Sequence, residues 1–487
     1  MKRYLKIVII LVSFIGFFSC SEDTMDEINK NVNNPTDMTS EYIITDVMTS
    51  TAFNVVGSDL AFYASIYMEY NVGVYEQMYN AEVRVSEPIS SSTYNNPWTS
   101  MYNNLYNLKV IIEKCSEGGA EEGNYYTLGI AQVLTAYNLA VLTDLMGNVP
   151  WSEALQPGVI YTPSLDTQED IYSNVFKYLD DAIGNLEKSS QYAFLGEQDL
   201  LYDGTAESIE NWKKFAYGLK ARYTMRLCYR SADYNSVIEY ADHSFESNSE
   251  ECKFEYNGAT SSSPFYQFYK DRNDFGCSES LHNKLEDRND PRDDVFFIGA
   301  DGKSDAVFAP NGTPTQQQDY YGISAISTIT APTYLLSYHE ILFLKAEAYA
   351  RLNDLTNATK FLKEAIVAAC GKSNIDDVSR EKAEEYYDNE IASRVTTIDK
   401  ALSEIMVQKY LAFYEEEAIE AYNDYRRLKA MGKGNMVSLA NPLNSSKFPL
   451  RYTYGSSDVT TNVNVRNAQG DGSFVYSENV WWAGGNR

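Results

Sequence analysis

Residues 334–370, YLLSYHEILFLKAEAYARLNDLTNATKFLKEAIVAAC, read as two helices joined by a tight hinge. In the first, Leu335, Ile341, Leu342, Lys345, Ala346 and Tyr349 recur at steps of three and four, so the apolar members share a face. Ala358, Leu362, Ala365 and Ile366 do the same in the second. Between them, Asn353 and Asp354 can bond their own backbone and end the first helix, and Thr356 or Asn357 is placed to cap the next. Ala346 and Ala358 fall where the helices cross, and a bulkier side chain there would push the axes beyond the roughly 8–10 Å of close packing. A unit with one apolar face cannot bury that face alone, so this stretch requires further helix pairs stacked against it.

The series Leu342, Ala346, Tyr349, Ala358, Leu362, Ala365 resembles the tetratricopeptide repeat, which keeps large, small, aromatic, small, large and small residues at these spacings. Other segments supply the partners. Residues 98–115 place Trp98, Tyr102, Leu105, Leu108, Ile112 and Cys115 on one side, after a helix-starting Asn96-Pro97. Residues 126–146 form an apolar helix that Gly147-Asn148-Val149-Pro150 stops. In 167–186, Ile171, Val175, Tyr178, Ala182 and Leu186 align, with Thr167 and Asp170 spaced like a capping box. Segments 208–229 and 234–245 follow, and 398–431 is the last long helix. Together they make about four pairs, enough for a continuous stacked core. A length of 487 residues suits such an array, which grows by accretion.

Tyrosine is the compositional anomaly, with 40 against 21 Phe and 5 Trp, and its flat face with one hydroxyl suits helix crossings and wet, half-buried surfaces alike. The formal charge of −28 repels phosphate backbones, which makes nucleic acid and anionic membrane surfaces poor partners. Five cysteines beyond the N-terminus, at 115, 228, 252, 277 and 370, form no metal-ligating spacing and read mainly as core thiols, with Cys252 and Cys277 close enough in one irregular region to pair.

The N-terminus carries an address. Lys2, Arg3 and Lys6 precede the apolar run 7–18, too short to span a bilayer, so 1–19 reads as a signal peptide. Ser19-Cys20 at its edge resembles a bacterial lipoprotein box, which implies lipidation of the Cys20 thiol, although Phe17 and Phe18 depart from the residues usual there. Residues 20–40 are an acidic, Asn-rich tether, and 41–487 a single helical domain.

Enzymatic patterns fail on inspection. Glu415, Glu416, Glu417 and Glu420 offer carboxylates, but consecutive helical residues point apart, so they read as a structural set in which Asp424 and Arg427 pair at i, i+3. His339-Glu340 lacks the second His of a zinc protease, and Gly302-Lys303-Ser304 lacks the first Gly of a phosphate loop. Asp271-Arg272-Asn273-Asp274-Phe275-Gly276 begins like a calcium loop, but Phe275 and His282 occupy ligand positions, so a Ca²⁺ site has no complete motif and no cofactor is expected.

Several stretches in order carry a wider likeness: IAQVLTAYNLAVLTDLMGNVPWSEAL (130–155), LHNKLEDRNDPRDDVFF (281–297), LSYHEILFLKAEAYARL (336–352), the Glu-rich helix with Asp424, Arg426 and Arg427, FPLRYTYGSSDVTTN (448–462), and NVWW (479–482). With the leader, they resemble the SusD/RagB family of Bacteroidetes nutrient-binding outer-membrane lipoproteins, in its SusD-like branch. The resemblance implies a mainly α fold, with tetratricopeptide-like pairs as scaffold, long irregular loops and few short strands. It implies no catalysis, a lipid-anchored position on the outer membrane facing the cell exterior, and a nutrient passed to a SusC-like TonB-dependent transporter. Oligosaccharide is the expected cargo, with oligopeptide and a purely protein-binding scaffold as alternatives.

The binding residues are then sought in the irregular stretches 70–96, 254–318 and 449–487, the last alternating Tyr and Val as short strands would. Aromatic faces there can lie against sugar C–H faces while polar groups bond hydroxyls. The expected ligand contacts are Tyr75, Tyr79, Tyr266, Tyr269, Arg272, Asp274, Tyr320 and Tyr321.

Overall fold

The apolar helix of the sequence lies at the centre of the fold. In the computed structural model, which describes residues 38–372, 374–375 and 378–486, helices α1 (Ser40–Ser50), α2 (Asp59–Tyr67), α3 (Glu76–Glu82) and α4 (Asn95–Cys115) lead to α5 (Tyr125–Met146). Every residue of α5 from Thr127 to Met146 is buried. A helix apolar all round has no face for water, and this one packs against α4 on one side and α6 (Gln168–Leu186) on the other. Gly129 makes the second contact close: a Cβ there would stand 2.6 Å from Leu186 Cγ. Gly147, at φ +78°, ends α5 as its sequence predicts, and Thr167 accepts a hydrogen bond from the Asp170 amide at 3.2 Å to start α6.

The array continues through α7 (Ala206–Arg226), α8 (Tyr234–Asp242), α9 (Pro264–Asp271) and α10 (Glu279–Glu286) to the pair α11 (Tyr338–Arg351) and α12 (Leu355–Cys370), then α13 (Ile398–Ala412) and α14 (Ala418–Ala430). Strands are short and paired antiparallel in twos: β1 (Asn71–Gly73) with β3 (Phe275–Cys277), β2 (Cys252–Phe254) with β4 (Thr333–Leu336), and two pairs of two residues each. Residues from Ser40 onward cluster as one compact unit. The leader 1–19, Cys20 and most of the tether lie outside the described residues.

Ala346 and Ala358 are fully buried at the α11–α12 crossing. Leu335 belongs to β4 rather than to the helix, because Ser337 caps α11 by accepting from the Glu340 amide at 3.2 Å. Asp354, not Thr356 or Asn357, caps α12, accepting from the Asn357 amide at 3.0 Å. The expected helix 398–431 breaks at Phe413–Glu417, where Glu415 takes φ +68°. A continuous helix would fan three consecutive glutamates outward; the corner lets all three point inside. The C-terminal stretch forms short helices at Ser456–Thr461 and Val463–Gln469 with single turns between, and no strand among the described residues. Its aromatics plug the array instead, with Tyr452 stacked 4.0 Å from Tyr94 and Trp482 buried. Cys252 and Cys277 sit in different sheets, unpaired, and all five described cysteines are free and buried.

A chain of buried ion pairs crosses five of these helices. Asp144 on α5 accepts from Arg226 on α7 at 2.6 Å, and Arg226 also bonds Glu420 on α14. Arg222, one turn earlier, makes a bidentate pair with Glu340 on α11 at 2.8 and 2.6 Å. Further along α14, Arg427 holds Asp424 at 2.9 Å, the pairing that its spacing predicts, and clamps Glu347 on α11 at 2.7 Å through both nitrogens. Lys409 on α13 reaches Asp424 at 2.7 Å. Burial alone would raise the Glu347 carboxyl, but Arg427 and Arg351 beside it hold it well below the usual carboxylate range. Arg427→Ala takes the bidentate partner from the buried Glu347, leaving Arg351 alone to offset its charge, and is expected to cost about 1.5–3 kcal/mol in urea unfolding at pH 7. A loss under 1 kcal/mol would show that the pair is not a structural tie.

Candidate functional site

Three separate stretches of chain meet where β1 pairs β3. Past β1, the Val74 amide donates to the Asp274 carbonyl at 2.8 Å, so Tyr75 emerges beside the 272–274 turn. The Cys277 amide then donates to the Gly322 carbonyl at 2.7 Å, which brings Tyr320 and Tyr321 to the same edge. Gly276 makes that approach possible, since a Cβ there would lie 2.7 Å from Tyr321 Cβ. Tyr321 is buried with Val72, Val74 and Ala309 in a small apolar cluster, and its hydroxyl accepts from the Thr315 amide at 2.9 Å.

Side chains around this junction divide into inner and outer sets. On α9, Phe265, Phe268 and Tyr269 face inward, packed with Phe62 and Phe275, while Tyr266 is half-buried on the other side. The Tyr269 hydroxyl lies 2.8 Å from Asn71 Oδ1 and 2.9 Å from Glu415 Oε1, deep in the fold. Asp274 is buried too; Gln318 Nε2 donates to its Oδ1 at 3.0 Å and to the Arg272 carbonyl. Burial raises the Asp274 carboxyl, against that hydrogen bond. Asn273 bonds Asp319, both at positive φ, and so pins the two turns together.

Outward stand Arg272, beyond the end of α9, and Tyr320, 49% exposed and edge-on to Tyr321 at 4.8 Å. Tyr75 precedes α3 at its N-cap and Tyr79 lies one turn on, both half-buried. The expected set is thus assembled from three stretches, with Tyr75, Tyr79, Tyr266, Arg272 and Tyr320 reachable and Tyr269, Asp274 and Tyr321 beneath them. Sequence reasoning missed Gln318 and Asp319, whose only signal was their place at the end of an irregular stretch. Residues 271–276 close α9 and enter β3 rather than wrapping round a centre, and no group of three His, Cys, Asp or Glu side chains is placed to hold a metal among the described residues. Two clefts lie elsewhere, one of about 570 Å³ lined by Tyr125, Gln132, Asp180, Asn185 and Lys188 and one of about 490 Å³ beside Tyr338 and Lys363.

Residues 32–455 match the SusD-like family described as starch-binding and associating with the outer membrane. A SusD/RagB family protein from Bacteroides thetaiotaomicron VPI-5482 is 44% identical, with 93% of this chain and 100% of that one covered and a TM-score of 0.86. The chain belongs to the SusD/RagB family. A chitin-binding SusD homolog from Flavobacterium johnsoniae (20% identical, 91% of this chain, 98% of that one, TM-score 0.71) shares the fold. So does a SusD homolog from Bacteroides fragilis NCTC 9343 (20%, 92%, 100%, 0.71). No curated protein matches. The mainly α architecture with few short strands is that of SusD-like proteins.

In this SusD/RagB chain the junction is fastened to the scaffold by buried acids. Glu82, on the helix that carries Tyr79, accepts from the Gly312 amide at 2.5 Å and from Asn441 Nδ2 at 3.0 Å. Burial pushes its carboxyl up to about 7, against the pull of Arg84. The folded chain therefore keeps this proton to a higher pH than the unfolded chain does, and the group's contribution to stability is lost as pH rises from about 4.5 through about 7. Glu82→Gln should reduce the fall in stability between pH 5.5 and pH 8 by about 2 kcal/mol in unfolding free energy, read from urea midpoints. An unchanged fall would mean that Glu82 is ionised throughout.

Proposed function

We propose that this protein is a surface lipoprotein that captures oligosaccharide and delivers it to a SusC-like TonB-dependent transporter, anchored through Cys20 and facing the cell exterior. Membership of a family described as starch-binding and associating with the outer membrane carries this reading. The junction supports it: aromatic rings from three stretches, with Arg272 among them, offer flat faces and polar groups on one edge, the combination that glycan rings and hydroxyls require. No bond need be made or broken for such a role. The acidic surface keeps the protein off anionic lipid, so the lipid chains of Cys20, not charge, supply the anchor.

Calorimetric titration of the chain lacking its first 20 residues with malto- and chito-oligosaccharides tests the cargo. Binding is expected for one glycan series, and Tyr75→Ala with Tyr320→Ala should weaken it at least tenfold, about 1.4 kcal/mol. Unchanged affinity would remove the junction from the site, and binding of oligopeptides alone would replace the cargo. Separately, Cys20→Ser should abolish incorporation of labelled fatty acid and shift the protein out of the membrane fraction; retention of the label would overturn the anchor. Membranes dissolved in mild detergent should yield this protein together with a large β-barrel.

A further inference from the structure

Glu415 differs from its two neighbours in the corner between α13 and α14. Glu416 has the Lys372 ammonium at 3.2 Å, and Glu417 has the same ammonium at 3.2 Å with His339 Nε2 at 2.7 Å. Glu415 has no cation within ion-pair distance among the described residues, although it is fully buried. Its Oε1 instead accepts from Tyr269 on α9 at 2.9 Å and from Asn71 Nδ2 on β1 at 3.2 Å, and Asn71 Nδ2 also reaches Ser65 Oγ at 2.9 Å. Its Oε2 has no partner among the described residues. The carboxyl borders a void of only about 10 Å³, with Ser263 and Ser327 on the wall and the Ser327 hydroxyl also unpartnered. Such a space takes one water at most, far short of a carboxylate's hydration shell, so the charged form cannot be solvated in place.

The two groups that Glu415 holds belong to the elements that present the outer residues. Asn71 opens β1, which runs straight into Tyr75, and Tyr269 lies on the helix that presents Tyr266 and is followed directly by Arg272. We propose that Glu415 is a positioning residue for the ligand face: while protonated it clamps β1 and α9 in their present arrangement, and on ionisation it releases them. This rests on the reading of the junction as the glycan site. The titratable and charged groups around it are Glu416 and Tyr414 from the corner, Tyr269 from α9 and Cys277 from β3, with Lys372 beyond on Glu416 and Glu417. None of them carries a positive charge at short range, and the hydrogen bonds from Tyr269 and Asn71 offset the burial only in part. Burial first, and Glu416 second, push the Glu415 carboxyl up to about 7. The clamp is therefore complete below about pH 4.5 and progressively lost as pH rises from there through about 7.

Hydrogen–deuterium exchange of residues 264–272, corrected for the intrinsic pH dependence of amide exchange, tests the clamp without any ligand. The wild-type chain should open up to about tenfold more per pH unit between about pH 4.5 and 7 and level off above that. Glu415→Gln, which keeps the shape and cannot ionise, should hold the low-pH protection up to pH 8.5, and Tyr269→Phe should loosen the helix at every pH. A flat wild-type profile, or one that Glu415→Gln leaves unchanged, overturns the proposal. Affinity for maltohexaose and chitohexaose at pH 6 and 8.5 then tests the link to the face. Wild-type binding should weaken at the higher pH and Glu415→Gln should retain more of it. Equal binding at both pH values overturns the link, whereas no glycan binding at either pH overturns the glycan site and leaves the exchange result to decide on the clamp.

Discussion

The ion pairs that α14 makes with α7, α11 and α13, extended to α5 through Arg226 and Asp144, are the constraint on which this architecture depends. Buried charges tolerate almost no misalignment, because each partner left without its mate carries a desolvation cost of several kcal/mol. Apolar helix faces slide with little penalty, whereas a bidentate arginine fixes both the rotation and the depth of the two helices that it joins. Arg222 and Arg427 are of this kind, and both end on α11, so the tetratricopeptide-like pair is locked to the rest of the array at two points along its length.

The same corner that closes this network also reaches the candidate binding edge. Glu416 and Glu417 turn toward Lys372 and His339, while Glu415 turns toward β1 and α9. A left-handed residue between two helices is strained for any side chain other than glycine, and it persists here because the three carboxyls need three directions. Rigid scaffold and irregular loops are thus joined by side chains rather than by continuous secondary structure.

Helix existence was legible from residue periodicity, and the limits of 126–146 and 167–186 came within a residue or so, because each is bounded by its own cap or glycine. Boundaries set by distant contacts were not legible. Leu335 lies in a strand that Leu336 pairs with Cys252, some 80 residues away, and the break at 413–417 follows from partners on other elements. The candidate site shows the same division. Aromatics and polar residues in irregular stretches could be picked out, but which face outward depends on the register of β1 on β3 and on the inward face of α9. Tyr266 and Tyr269 look alike in the chain, yet one is half-buried and the other is hydrogen-bonded to Glu415.

What the sequence alone determined was local and compositional: helical periodicity, small residues at crossings and the Asp424–Arg427 pairing. Each follows from contacts within a few turns, where spacing dictates geometry. Only the tertiary structure decided which glutamate lacks a cation, which tyrosines are reachable and how three distant stretches form one edge. Those outcomes depend on burial and on partners far away in the chain, and desolvation, which sets the charge state of a carboxyl, has no meaning until the chain has folded around it.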